Sequence, residues 1–166
     1  MSVEVRELLD RYTAWLREKS VTKDLGDGYT EITTPYLDRH NDYIQIYVRA
    51  HADGYLLTDG GETIQDLRLS GCDLDTKRRK ERLHQTLRGF GATLDGEAIH
   101  IRATSRNFPL RKHNLVQAIL GVNDLFYLAA PVVASLFLED VTAWLTSCGV
   151  RFTPRAKFTG KSGYDH

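Results

Sequence analysis

The chain is poor in the residues that build special scaffolds: among 166 residues there are two cysteines, one methionine and four prolines. Cys72 and Cys148 form no C-x-x-C pair and are too few for a four-thiolate zinc site, and their scarcity fits a reducing compartment rather than a disulfide framework. A secretory leader is missing as well, because Glu4, Glu7 and Asp10 occupy the first turns where such a leader would be basic and then apolar. The longest nearly uncharged run, Leu125 to Leu138, is interrupted by Pro131 and Ser135 and falls short of the roughly 20 apolar residues of a membrane span. Neither charge is in excess, with 22 basic against 22 acidic residues. These absences leave a soluble cytoplasmic protein without membrane contact as the expectation. At 42% hydrophobic and 27% charged, the chain has enough apolar surface to fold unaided.

The zero net charge hides an asymmetry. Residues 1–75 hold 8 basic and 15 acidic side chains, whereas 76–166 hold 14 and 7. The basic half is therefore available to nucleic acid or an acidic partner, unless the two halves fold together and neutralise each other.

Local patterns predict an α+β fold: a mostly antiparallel sheet of about five strands packed by helices and ending in an αα-hairpin. Ser2 caps a helix whose Val5, Leu8, Leu9, Tyr12, Trp15 and Leu16 recur at helical spacing and bury one stripe, ending near Ser20. Tyr29 to Thr34 reads as an edge strand stopped by Pro35. Tyr43 to Arg49 is the clearest strand, alternating Ile44, Ile46 and Val48 with polar and tyrosine positions, and Asp53-Gly54 turns it back into Tyr55–Thr58. Thr63 is expected to cap a short helix closed by Gly71, and Thr76 or Asp75 to cap a basic helix ending at Gly91. Asp95-Gly96 makes a second hairpin. Pro109 opens a helix to about Ala129 and Pro131 another from Val132 to Cys148, with Leu115, Ile119, Val122 and Phe126 facing Leu136, Val141, Trp144 and Leu145. The expected organisation is one α+β domain over 1–150 and an extension over 151–166.

The block Thr34-Pro35-Tyr36-Leu37-Asp38-Arg39-His40-Asn41-Asp42, followed by Tyr55-Leu56-Leu57-Thr58-Asp59-Gly60-Gly61-Glu62-Thr63-Ile64, resembles a bacterial and phage family known only as a domain of unknown function. The likeness covers about the first two thirds of the chain. Members often continue into a second uncharacterised domain, whose opening is similar to Phe158-Thr159-Gly160-Lys161-Ser162-Gly163 and His166 here. The resemblance thus implies that residues 151–166 begin a second domain that this chain does not continue, and it implies phage or mobile-element genomes. It brings no activity with it.

Asp42, Asp59 and Glu62 are placed by antiparallel pairing at neighbouring strand ends, and oxygen ligands so grouped are what a Mg²⁺-dependent nuclease requires. No lysine follows them at D-x-[ED]-x-K spacing. The same residues also serve as turn and helix-start chemistry, with Asp42 capping or pairing with Arg39. Gly160-Lys161-Ser162 fails the G-x-x-x-x-G-K-S phosphate loop, because Arg155 occupies the first glycine position. The histidines are scattered over different elements, so none is assigned a catalytic role.

The strongest signal is basic: Lys77, Arg78, Arg79, Lys80 and Arg82 on one helix, then Arg102, Arg106, Arg111 and Lys112. Such groups neutralise phosphates and release counterions. The competing reading is a solvated helix face that pairs with the acidic first half. The sequence thus predicts a non-enzymatic binding module for nucleic acid or an acidic protein, of regulatory or anti-defence type, needing no cofactor. The alternatives are a Mg²⁺-dependent nuclease using Asp42, Asp59 and Glu62, and a protein–protein module using Tyr29, Tyr36, Tyr43, Tyr47 and Tyr55. A homodimer through a sheet edge or the last helical pair also fits.

Overall fold

Alternation along Tyr43–His51 sends Ile44, Ile46 and Val48 to one side, and all three are buried, Ile46 completely. This strand is the third of six in a computed structural model of the chain. The structure describes residues 3–152, with the backbone alone at 3, over 127–136 and at 139. In chain order the elements are α1 (Val3–Lys19), β1 (Val21–Gly26), β2 (Tyr29–Leu37), β3 (Tyr43–His51), β4 (Gly54–Thr58), α2 (Glu62–Leu69), α3 (Lys77–Gly89), β5 (Thr93–Asp95), β6 (Ala98–Ala103), α4 (Phe108–Asn123) and α5 (Leu125–Ser147). The chain divides into two units, 1–126 and 127–166. Among the described residues, no helix is long and apolar enough to cross a membrane.

The six strands form one antiparallel sheet in the order β1-β2-β3-β4-β6-β5. Register places Val48, Leu57 and Ile101 side by side on one face, and Ile99 joins them there. Leu57 and Ile99 are wholly buried, and α2 and α4 lie against this face. Truncating such a residue to alanine typically costs about 2–5 kcal/mol, so this layer holds the first unit together. α4 contributes Leu115, Val116, Ala118, Ile119 and Val122 to it. The opposite face carries Tyr29, Tyr47, Arg49, His100 and Arg102.

Gly54 shows how closely the chains approach at the lower end of the sheet. Its φ is +152°, and a Cβ there would lie 2.2 Å from the Ala103 carbonyl oxygen, so only glycine lets β4 meet β6.

Several expectations need correction. The described residues form six strands where about five were expected, because Val21–Gly26 pairs with β2 as the edge strand. Its alternation is weak and all six residues are exposed, so the sequence gives no burial signal for it. β2 is consequently interior, and Pro35 does not end it: the register shifts between Thr33 and Leu37, and this bulge absorbs the missing N–H. α1 does not bury its apolar stripe, since Val5, Leu8, Leu9, Tyr12 and Trp15 are all exposed. α4 ends at Asn123, with Asp124 as its C-cap, and α5 continues through Pro131; a proline inside a helix removes one hydrogen bond and does not always end it. The α4 residues expected to form a helical hairpin, Leu115, Ile119 and Val122, are buried within the first unit, where α4 meets β4, β6, α2 and α3. Leu136 lies outside the described side chains, as do residues 153–166 as a whole, including Gly160-Lys161-Ser162.

Candidate nucleic-acid interface and acidic cleft

The basic helix begins as its sequence predicts. Thr76 is its N-cap, accepting the Arg79 N–H at 3.3 Å, and Leu83 and Leu87 bury the inner stripe. With that stripe fixed inward, Lys77, Arg78, Lys80 and Arg82 are left exposed, while Arg79 is half-buried and donates from Nη1 to the Asp73 carbonyl. Among the described residues the ion pairs are Arg39–Asp66, His40–Asp66, Arg68–Glu97 and Lys80–Asp75. Of the predicted basic set only Lys80 is paired, at 3.2 Å, and its hydrogen bond and charge hold the Asp75 carboxyl below its ordinary value. Among these residues, direct ion pairing with the acidic half therefore involves Lys80 alone.

The second basic group lies elsewhere. Arg102 is exposed on β6, Arg106 is exposed in the following loop, and Arg111 and Lys112 are half-buried in the first turns of α4. Burial pushes the Lys112 ammonium pKa down. Arg111 Nη1 would lie 2.8 Å from a Cβ at Gly91, just past the end of α3. Asn114 also reaches that end, donating to the Phe90 carbonyl at 3.2 Å. Arg111 thus lies at the C-terminal end of α3, whereas Arg102 stands on the open face of the sheet.

Asp42, Asp59 and Glu62 line one cleft of about 520 Å³ together with Asp38, His40 and Asp66, where β3 begins and β4 ends. Asp59, 2% exposed, is already committed there: Oδ1 accepts the N–H of Gly61 at 3.0 Å and of Ile99 at 2.8 Å, and Oδ2 that of Thr63 at 3.2 Å. It ties β4 to β6 and caps α2, the task expected of Thr63, while Gly61 turns the chain with φ of 92°. Glu62 accepts the Tyr47 hydroxyl at 2.7 Å. Burial, reinforced by that bond, pushes the Tyr47 pKa far up, so the phenol stays protonated. Among the described residues, no group of three His, Cys, Asp or Glu side chains is placed to hold a metal ion.

Sequence reasoning missed the arrangement beside this cleft. Arg39 pairs not with Asp42 but with Asp66, through Nε at 3.0 Å and Nη2 at 2.7 Å, and Nη2 also bonds Ser70 Oγ. Its guanidinium lies 4.4 Å from the centre of the Phe126 ring. His40 Nε2 approaches the same carboxylate at 3.1 and 3.3 Å. The signal available was a turn: Asp38 Oδ1 accepts the N–H groups of His40 and Asp42, which fixes the Arg39-His40 pair toward α2. The five tyrosines do not form one cluster, because Tyr29 and Tyr47 share the open sheet face while Tyr55 lies on the helix side, edge-on to Phe108.

No curated protein and no solved structure matches the chain. A family model does, over residues 34–122, which spans β2 from Thr34 through most of α4 and includes most of the cleft lining, α3 and Arg102, Arg106, Arg111 and Lys112. The chain belongs to the family described as domain of unknown function DUF1828.

Proposed function

We propose that this chain is a non-enzymatic module that holds the phosphate backbone of nucleic acid on the cations of α3 and of the β6–α4 corner. The observation that carries this reading is the state of those side chains: Lys77, Arg78, Arg82, Arg102 and Arg106 are exposed and form no ion pair among the described residues. Cations left in water cost little in the free protein and release counterions when they meet phosphates. The acidic cleft supports the same assignment from the other side, since its carboxylates repel phosphate and direct a polyanion to the basic surface. A cytoplasmic regulator or anti-defence protein of a phage or mobile element fits such a module and completes the proposal.

The competing reading is a Mg²⁺-dependent nuclease on Asp42, Asp59 and Glu62, favoured by their lining one cleft. It has to draw Asp59 away from its backbone N–H groups. Labelled single- and double-stranded DNA and RNA, incubated with and without Mg²⁺ and run on native and denaturing gels, separate the two. Binding without cleavage, unchanged in Asp42→Asn/Glu62→Gln, supports the module. Cleavage that this variant abolishes establishes the nuclease. Absence of binding to all four nucleic acids retires both and points to an acidic protein.

A further inference from the structure

We propose that a second copy of this chain covers α1, pairing the two helices antiparallel in a symmetric dimer. α1 opens the chain as 17 residues in which Leu8, Leu9, Tyr12 and Trp15 follow helical spacing, yet these side chains remain 45–56% exposed. Tyr12 and Trp15 stack with centroids 6.2 Å apart, forming a flat aromatic end to the stripe. A surface helix of this pattern ordinarily spends its apolar face on its own core. Here α2, α3 and α4 cover the apolar face of the sheet, and among the described residues of the first unit α1 meets chiefly β2.

The charges on α1 say which occupant fits. In the first half, Glu4, Glu7 and Asp10 outweigh Arg6 by two. In the second half, Arg11, Arg17 and Lys19 outweigh Glu18 by two. At 3.6 residues per turn Glu4 and Lys19 border the stripe near its opposite ends, so a second α1 laid antiparallel sets Glu4 beside the partner's Lys19 and opposes the helix dipoles favourably, whereas a parallel pair sets like against like. The helix is therefore complementary to itself in one orientation only, as a two-fold interface requires. The neighbouring edge strand β1 is the weaker candidate: it carries Lys23 and Asp24 and a register break between Asp24 and Gly26, features that guard an open edge against pairing.

α1 is about 25 Å long at ~1.5 Å per residue, so a helix-to-helix contact stays below the roughly 800 Å² per partner of a standard interface. The dimer is accordingly concentration-dependent, with dissociation in the micromolar range.

Sedimentation velocity on the full chain from about 5 to 500 µM tests this. The expected result is a monomer–dimer equilibrium that Leu8→Glu/Tyr12→Glu shifts at least tenfold toward monomer. These are surface positions, so the variant should retain the wild-type circular dichroism. A second variant set reads orientation: Glu4→Lys weakens the dimer, and adding Lys19→Glu to the same chain restores it. A wild-type chain that stays monomeric throughout, a dimer indifferent to Leu8→Glu/Tyr12→Glu, or a charge reversal without rescue each overturns the proposal. None of these outcomes depends on nucleic-acid binding, so the dimer and the proposed function stand or fall separately.

Discussion

Replacing Asp59 distinguishes a structural carboxylate from a catalytic one. Its oxygens receive three buried backbone N–H groups, those of Gly61, Ile99 and Thr63. Asn at 59 retains one oxygen, which still serves Gly61 and Ile99 through the position of Oδ1, but it sets an NH₂ against the Thr63 N–H. One charge-assisted bond is lost and a donor faces a donor, a cost of about 2 kcal/mol. Ala at 59 leaves all three donors buried and unpaired, at about 1–3 kcal/mol each and about 5 kcal/mol in total. At roughly 4 °C per kcal/mol for a unit of this size, Asp59→Asn should lower the Tm by about 8 °C and Asp59→Ala by about 20 °C. Thermal unfolding followed by circular dichroism, with urea midpoints as a check, measures both. A ligand for metal behaves in the opposite way, because removing one carboxylate from a crowded acidic cleft relieves repulsion. An Asp59→Asn protein as stable as wild type, or more stable, refutes the capping argument and reopens the nuclease.

Other perturbations probe separate parts of the account. Gly54→Ala drives a Cβ into the Ala103 carbonyl oxygen at 2.2 Å, so it should break the β4–β6 pairing and leave little folded protein, whereas Gly26→Ala, which meets nothing within 4 Å and bears only the strain of its φ of +79°, should cost about 1–2 kcal/mol and retain the sheet. Burial pushes the Cys72 thiol pKa up while Cys148 is exposed, so a thiol reagent near pH 8 should label one cysteine at once and the second only on unfolding; two fast thiols would contradict the buried assignment. Burial lowers the Lys112 pKa from its ordinary 10.5, so the folded chain disfavours the ammonium and gains stability as pH rises from the lowered value through 10.5. Lys112→Met should therefore raise the urea midpoint at pH 7, and its advantage over wild type should close above pH 10.5. A gap that does not change with pH would exclude desolvation as the cause.

What the sequence made legible was whatever short-range chemistry determines. The period-two alternation of β3 and the Asp53-Gly54 and Asp95-Gly96 turns gave the sheet, and Thr76 caps α3 as read. The fold class follows from those signals. Where the outcome depended on tertiary context, local reasoning went astray. β1 has no alternation to betray it, since an edge strand exposed along its whole length has no apolar side to mark. Pro35 lies in an interior strand only because the chain bulges there. The stripe on α1 looks like any core-facing helix, and nothing within 3–19 tells that the core closes without it. The site was legible to the same degree: juxtaposition of Asp42, Asp59 and Glu62 followed from strand pairing, whereas the commitment of Asp59 to Ile99 spans 40 residues and the Arg39–Asp66 pair spans 27. Separation of the basic residues into two groups likewise depends on how α4 meets the far end of α3.

The most direct test of the central claim is the salt dependence of nucleic-acid binding, measured by fluorescence anisotropy on the wild-type chain and on Lys77→Ala/Arg78→Ala/Arg82→Ala. The account predicts a linear fall of log K with log salt, and a slope smaller by roughly one for each phosphate contact removed. Binding that ignores salt, or a slope identical in the two proteins, would contradict it.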